Sequence, residues 1–262
     1  MVIVTVIVHA VSMLTLDRII EYKEVTFRSD RVPEELVGYR IAFVSDTHSI
    51  SAERLEKVVD RLSGADIDLL IIGGDFFSTE GGPLNSLGIL SGTITSDGIY
   101  GVEGTGFHES HIDLAAAMGR FSIRLLSNDG VYIRDRLFLA GTEDVTRRNP
   151  DIKTAVRGAG PDDFILLVSH NPDITMEQDT EGIDLILSGH THGGQITLFG
   201  IWAPALANSK SISKYGQRFM SGWAESRDGV PVYVSNGTGD MNGVPRIFAK
   251  PQVVIFTLSN LK

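Results

Sequence analysis

Apolar residues recur along the chain in patterns that predict an opening of strand, helix and strand. Residues 39–45 form a short apolar run that predicts a strand. Ser51 is a suitable N-cap for the helix that follows, whose apolar positions recur at helical spacing at Leu55, Val58, Val59 and Leu62. Residues 68–72 are almost wholly apolar, as is typical of a strand buried on both faces.

The remaining apolar runs are short and predict many strands but few helices. Helical periodicity returns in residues 112–118. Further strands are predicted at residues 123–126, 131–134, 137–140, 164–168, 185–187, 232–234 and 253–258. Their spacings suit both parallel crossovers and hairpins, so the pattern predicts an α/β fold in which mixed sheets are covered by helices.

The N-terminal segment differs from the rest of the chain. Its first sixteen residues contain twelve apolar residues and no charge, but the longest unbroken apolar run, residues 1–4, is far shorter than the roughly 20 residues that span a bilayer. Nine of the sixteen are Val, Ile or Thr, which favours an extended segment. A strand or buried arm, a truncated or interfacial membrane anchor, and a processed leader all stay open. We therefore divide the chain into an apolar arm or anchor remnant, residues 1–20, and a domain of residues 21–262.

Composition narrows the classes of function. The formal net charge of -10 provides no broad basic surface, so specific binding of nucleic acid is not expected. The chain has no Cys, which excludes disulfides, thiolate zinc sites, iron–sulfur clusters and Cys nucleophiles. Any bound metal must therefore be held by His, carboxylate or amide groups.

Six residues with metal-binding side chains follow predicted strands closely. They are Asp46, His48, Asp75, His170, His190 and His192. Because ligands of open α/β sheets bind at the carboxyl ends of the strands, these side chains are expected to converge there. Residues two apart in a strand point to one face, so Asp46 with His48, and His190 with His192, are each expected to supply two ligands to one site.

This set of side chains predicts a metal centre. Imidazole and carboxylate ligands suit two divalent cations of the Mn, Fe, Zn or Co type better than Mg or Ca, which prefer oxygen ligands. Two such ions about 3.5–4 Å apart form the clamp used for in-line attack at phosphorus. The sequence therefore predicts hydrolysis of a phosphoester by a metal-bridging hydroxide.

The motifs around these residues resemble the ordered signature of the calcineurin-like metallophosphoesterase superfamily. They are Asp46-x-His48, Gly74-Asp75, Gly106-Phe-His108-Glu109, His170 and Gly189-His190-x-His192. Residues 169–173, 187–196 and 233–237 resemble a bacterial phosphodiesterase-like branch, which includes membrane-associated phosphoesterases and a UDP-diacylglucosamine pyrophosphatase. The resemblance implies a metallophosphoesterase domain: a four-layer α-β-β-α sandwich with two mixed sheets and the metal site at the strand ends.

The resemblance also implies a role for each site residue. One metal would be held by Asp46, His48 and His192, Asp75 would bridge, and the other metal would be held by His170 and His190. His108 matches the catalytic histidine that stabilises or protonates the departing oxygen.

This chain departs from the family in one place, because the usual Asn ligand of the second metal is missing. The equivalent position is Phe107, or Thr105 if two residues are inserted. Phe cannot coordinate, and a Thr hydroxyl is a poorer donor than an amide carbonyl. We expect a weakened second site unless Glu103, a backbone carbonyl or a water compensates.

Substrate choice is expected to lie in residues 199–223, which hold both Trp residues of the chain. Trp202, Tyr215 and Arg218 are the candidate substrate-binding residues, unless the aromatics only pack a long loop. We expect a phosphodiesterase acting on a small-molecule, nucleotide-linked or lipid-linked substrate. The alternatives are a metal-binding scaffold impaired in catalysis and, against the net charge, a nuclease. A cytoplasmic location is expected, while peripheral membrane association through residues 1–16 and the oligomeric state stay open.

Overall fold

The computed structural model describes residues 2–15, 18–77, 84–105, 112–146, 149–208, 210, 212–241 and 244–261. The strands in these ranges are β1 (Glu21–Arg28), β2 (Arg40–Val44), β3 (Leu69–Ile72), β4 (Ile99–Gly101), β5 (Ile123–Leu125), β6 (Asp129–Arg134), β7 (Leu137–Gly141), β8 (Phe164–Val168), β9 (Leu185–Ser188), β10 (Gly222–Glu225), β11 (Pro231–Val234) and β12 (Gln252–Ser259). The α-helices are α1 (Val2–Leu14), α2 (Ala52–Ser63), α3 (Asn85–Leu90), α4 (Leu114–Gly119), α5 (Ile152–Ala155), α6 (Ile174–Glu177) and α7 (Pro204–Asn208). Short 3-10 turns lie at Glu34–Leu36, His192–Gly194 and Gly216–Phe219.

The described strands form two mixed sheets of six. The first has the order β1-β12-β2-β3-β4-β5 and the second the order β10-β11-β9-β8-β7-β6. The central strands β2, β3 and β4 run parallel, as do β7, β8, β9 and β11. The carboxyl ends of several parallel strands therefore lie at one edge of each sheet.

Side-chain alternation along β2 shows why the sheets stack. Ile41 and Phe43 pack into the apolar cluster between the two sheets, whereas Ala42 and Val44 pack towards the helices on the outer face. A separate apolar cluster covers the outer face of the second sheet. The order of layers is helix, sheet, sheet, helix, which confirms the expected α-β-β-α sandwich.

The prediction of an extended N-terminal segment is wrong, because Val2–Leu14 forms α1. No Gly or Pro interrupts this run, and a β-branched residue costs a helix well under ~1 kcal/mol, so tertiary contacts can decide the conformation. The ring of His9 packs edge-on against Phe199 and Phe248, with ring centroids 4.8 and 4.9 Å apart. These contacts dock α1 onto the loop after β9 and the loop before β12.

The polarity of α1 is the reverse of that of a helix on a water-facing surface. Ser12 is buried and Thr5 and His9 are half-buried, so polar side chains face the domain. The apolar side chains at helical spacing point outward and are exposed: Val4, Ile7, Val8, Val11 and Leu14. Within the described residues, no helix combines the length and hydropathy needed to cross a membrane.

Candidate metal centre

The six residues singled out from the sequence come together where parallel strands end. Asp46 and His48 follow β2, Asp75 follows β3, His170 follows β8, and the pair at 190 and 192 follows β9. They form two groups, Asp46 with His48 and His192, and Asp75 with His170 and His190. Within each group, one nitrogen or oxygen from every side chain lies within 4.8 Å of the others. Each group draws side chains from both sheets.

Asp75 connects the two groups. Its Oδ2 atom lies 3.2 Å from His48 Nε2 in the first group and 3.3 Å from His170 Nε2 in its own. A single carboxylate oxygen therefore faces an imidazole from each side. This is the position that a bridging carboxylate between two cations would occupy.

The expectation drawn from residue spacing, that His190 and His192 serve one site, is wrong. His190 belongs to the group of Asp75, and His192 to the group of Asp46. Both residues lie beyond the end of β9 and have left-handed backbone conformations, with φ of 71° and 53°. The alternation of side chains applies to extended backbone only, so the two rings diverge.

Hydrogen bonds to carbonyl groups set which ring nitrogen faces the centre. His170 Nδ1 donates to the Gly73 carbonyl at 2.7 Å, and His190 Nε2 donates to the Ile212 carbonyl at 2.7 Å. A carbonyl only accepts, so each proton is fixed on that nitrogen. The opposite nitrogens, His170 Nε2 and His190 Nδ1, are the ones available to a metal.

Ionisation of the buried groups shows that the centre is built for positive charge. Burial by itself would lower the pKa of His170, but Asp75 and Asp46 raise it well above its usual value. Burial would raise the pKa of Asp75, yet His170 and His48 hold it well below its usual range. A proton thus lies between carboxylate and imidazole in the metal-free chain, and a divalent cation can replace it. The side chains present fit a metal centre.

The other two imidazoles are neutral. Burial and the neighbouring His170 lower the pKa of His190. Burial also lowers the pKa of His192 to about 3, with Arg246 acting in the same direction. Neutral imidazole is the form that binds metal.

Arg246 is a buried part of this site that sequence reasoning missed. Its Nη1 donates to the carbonyls of His192 and Ala249, each at 3.0 Å, and its Nε donates to the carbonyl of Gly239 at 3.1 Å. Burial lowers its pKa to about 10, so the guanidinium stays charged at neutral pH. It ties the loop after β9 to two segments near the C-terminus and thereby fixes the position of His192.

Of the three candidate substrate-binding residues, Tyr215 lies on a segment that contacts the metal centre. It belongs to the stretch from Ile212 to Met220. The Ile212 carbonyl accepts a hydrogen bond from His190 Nε2, and the Met220 carbonyl accepts one from Thr191 Oγ1 at 3.0 Å. Trp202 is partly exposed and pairs with Leu198. Arg218 Nη2 donates to the Glu225 carbonyl at 2.7 Å, beside a surface groove that it lines with Trp223.

Two positions from the loop after β4 can be placed, and three cannot. Thr105 Oγ1 lies 3.0 Å from His190 Nδ1. Glu103 is buried, and its Oε1 accepts from the amide of Asp144 at 3.0 Å. Phe107, His108 and Glu109 lie outside the described residues.

Comparisons with known proteins agree with this geometry. A family model described as calcineurin-like phosphoesterase matches residues 39–194, more than half of the chain. The chain is 27% identical over 255 residues to the uncharacterized metallophosphoesterase YkuE of Bacillus subtilis, covering 92% of this chain and 86% of the relative. It is 24% identical over 245 residues to an uncharacterized metallophosphoesterase of Helicobacter pylori, with 89% and 62% covered. It is 27% identical over 254 residues to a transmembrane protein with metallophosphoesterase domain of Danio rerio, with 87% and 55% covered. The chain thus spans less than two thirds of the length of the last two relatives.

Proposed function

The chain belongs to the calcineurin-like phosphoesterase family and is a metal-dependent phosphoester hydrolase, and from this premise we propose that it is a phosphodiesterase with a binuclear metal centre. One cation would be held by Asp46, His48 and His192 and the other by His170 and His190, and Asp75 would serve both. The donor types favour Mn, Fe, Zn or Co. The observation that carries the proposal is the contact of Asp75 Oδ2 with one imidazole from each group.

The chain's own residues position the reaction. When bound, divalent cations at such a centre lower the pKa of water and stabilise charge on phosphoryl oxygens. Asp46 is held by Ser45 Oγ at 2.5 Å and by the amide of His190 at 3.1 Å, so its carboxylate cannot turn away from the centre. We assign His108 the role of donating a proton to the departing oxygen, on the basis of its motif alone.

The substrate we propose is a small-molecule, nucleotide-linked or lipid-linked phosphodiester. The segment from Ile212 to Met220 contacts His190 at one end and its neighbour Thr191 at the other, and it carries Tyr215. A neighbouring loop exposes Leu198, Phe199 and Ile201. An apolar rim of this kind suits an apolar group attached to the phosphodiester.

We propose peripheral association with a lipid surface as a property of the same chain. The exposed apolar face of α1 supports it, and Phe199 of the rim contacts the helix through His9. Replacing Ile7 and Val11 by Glu should abolish sedimentation with phosphatidylglycerol vesicles. Replacing the exposed Thr15 by Glu should have little effect, and equal sedimentation of all three proteins would contradict the assignment.

The decisive experiment measures metal content per chain together with hydrolysis of a nitrophenyl phosphodiester and a nitrophenyl monoester. Mn, Zn, Fe, Co and Mg are added in turn to the same preparation. We expect about two ions per chain, diesterase activity above monoesterase activity, and loss of activity in Asp75→Asn and His108→Ala by a factor of 100 or more, on the order of the contribution of a positioned acid or base.

Asp66→Asn is a matched control. Asp66 is exposed, and its backbone φ of 48° equals that of Asp75, so the same chemical change is made at the same backbone conformation away from the centre. Full activity of Asp75→Asn would contradict the proposal. Turnover with none of the five ions would identify a scaffold instead, and cleavage of single-stranded nucleic acid in preference to the small diester would identify a nuclease.

A further inference from the structure

The loop after β4 is pressed against the bridging carboxylate. A Cβ atom on Gly104 would overlap the amide nitrogen and Oδ1 of Asp75, so this backbone passes as close to the centre as a glycine allows. The residue that follows Gly104 therefore lies next to the second group, which is formed by Asp75, His170 and His190. That residue is Thr105.

The hydroxyl of Thr105 lies beside the nitrogen of His190 that is available to the second cation. Its Oγ1 is 3.0 Å from His190 Nδ1, the nitrogen that faces the centre because Nε2 is bound to the Ile212 carbonyl. Nitrogen and oxygen ligands lie about 2.1 Å from such metals, and two neighbouring ligands at right angles are then roughly 3 Å apart. In the metal-free chain the Thr105 hydroxyl donates to His190 Nδ1, and the same separation of 3.0 Å suits two ligands of one ion.

The carboxylate of Asp144 is a buried negative charge close to this loop. Asp144 follows β7 at the same edge of the second sheet and is fully buried. Its Oδ1 accepts from the amide of Thr146 at 2.8 Å, whereas its Oδ2 has no hydrogen-bond partner among the described residues. Its amide donates to Glu103 Oε1 at 3.0 Å, so Asp144 lies against the loop that carries Thr105. An extra negative charge near the site strengthens the binding of a cation.

We propose that Thr105 binds the second cation through Oγ1, in place of the Asn that the family resemblance predicts, and that the buried Asp144 carboxylate offsets the weaker hydroxyl donor. This inference rests on the proposed binuclear centre. The missing Asn then means that the second metal has a different ligand, and not that the second metal site has been lost. Thr105, at the end of the described part of this loop, is the position equivalent to the missing Asn.

The test is Mn binding to the metal-free full chain, measured by equilibrium dialysis with elemental analysis. Wild-type protein should bind two ions with separable affinities. Thr105→Val keeps the shape of the side chain but removes the oxygen, and should weaken the second ion at least tenfold while leaving the first unchanged. Thr105→Asn should bind the second ion at least as tightly as wild type, and Asp144→Asn should weaken it.

Thr26→Val is the matched control, since Thr26 is exposed on β1 far along the chain from the centre. Thermal unfolding without metal identifies any variant that fails to fold. If Thr105→Val does not fold, the Mn affinity of Thr105→Asn tests the same position. Two ions bound by wild type and equally by Thr105→Val would overturn this inference but leave the proposed function intact. A single ion bound by wild type would overturn both this inference and the proposed binuclear centre, and no ion at all would contradict the metal-dependent function itself.

Discussion

At the scale of single residues, the centre depends on how closely backbone approaches the carboxylates. A Cβ atom on Gly189 would overlap Ser45 Oγ and Asp46 Oδ2. Gly189→Ala should therefore displace the Asp46 carboxylate and weaken binding of the first cation about tenfold, which corresponds to roughly 1.4 kcal/mol. The measurement is Mn affinity by dialysis.

A glycine with open space provides the control for this prediction. Nothing lies within 4 Å of a Cβ atom built on Gly119, at the end of α4, so Gly119→Ala should bind Mn as wild type does. Unchanged affinity in Gly189→Ala would show that Asp46 can move without cost to the site.

Arg246 should matter for stability as well as for the position of His192. Arg246→Met leaves the carbonyls of His192, Gly239 and Ala249 without these donors, so the free energy of unfolding should fall by about 3 kcal/mol or more. Arg246→Lys keeps the charge but loses the planar fork, so it should recover only part of the loss. Urea unfolding of the metal-free chain measures both.

The exposed Arg120 provides the comparison, since Arg120→Met should change the free energy of unfolding by less than about 0.5 kcal/mol. A similarly small effect of Arg246→Met would contradict the role assigned to the buried guanidinium.

Short motifs account for which site residues the sequence could predict. The six side chains of the two groups lie within a few residues of strand ends, so local pattern was enough to find them. Arg246 has no such signal, because its burial is created by loops that meet only in the folded chain. The separation of His190 from His192 depends on two positive φ angles, which side-chain spacing does not encode. The role of His108 stays a prediction.

At the scale of elements, a polar clamp joins the two sheets near the start of β2. The hydroxyl of Tyr39 donates to Asp97 Oδ2 at 2.6 Å, and Arg134 Nε, at the end of β6, donates to the same oxygen at 2.6 Å. The Arg134 guanidinium also lies over the Tyr39 ring, 4.8 Å from its centroid. The clamp connects the first sheet to the edge strand of the second.

This clamp predicts a dependence of stability on alkaline pH. Burial, together with the hydrogen bond to Asp97, raises the pKa of Tyr39. An unfolded Tyr ionises near pH ~10, so the stabilisation is fully present below that pH and is lost as the pH rises further. Tyr39→Phe should cost about 1 kcal/mol at pH 7 and should lose less stability than wild type above pH ~10. Urea unfolding at several pH values measures both effects, and parallel curves for the two proteins would contradict the assignment.

The elements that sequence patterns missed share weak or misleading signals. The predicted strands from 39–45 to 253–258 are confirmed, and the apolar runs of most of them are buried, although β6 has only half-buried and exposed residues. By contrast, β1 is an edge strand with charged and exposed residues, and it pairs with β12 alone in the first sheet. Only three residues form β4. The prediction for α1 failed because it relied on the β-branched composition and not on the helical spacing of the apolar positions.

At the scale of the whole molecule, metal should stabilise the chain by joining its two sheets. Each group takes side chains from both sheets, so a bound cation links them. A ligand at 100 times its Kd adds about 2.7 kcal/mol to the stability of the folded state. For a chain of this size, that predicts a rise in Tm on the order of 5–10 °C on adding Mn to chelator-treated protein.

Thermal unfolding with chelator, Mn and Mg checks this expectation. Mg should raise the Tm less than Mn, because imidazole ligands suit it poorly. The Asp75→Asn variant should show a smaller rise than wild type. An identical Tm with chelator and with saturating Mn would contradict the presence of a metal centre in the folded chain.

The fold class and the family were accessible from sequence at this scale, since ordered motifs and apolar runs extend over most of the chain. The division at residues 20 and 21 stays a prediction, although β1 begins at Glu21.

The distribution of the two groups along the chain has a consequence for biosynthesis. Asp46, His48 and Asp75 leave the ribosome early, but the first group is incomplete without His192 and the second without His190. Both are completed within two residues of each other, when most of the chain has been synthesised. With the proposed binuclear centre, metal loading would therefore be a late event, and a nascent chain that stalls before residue 190 would hold neither cation in its final set of ligands.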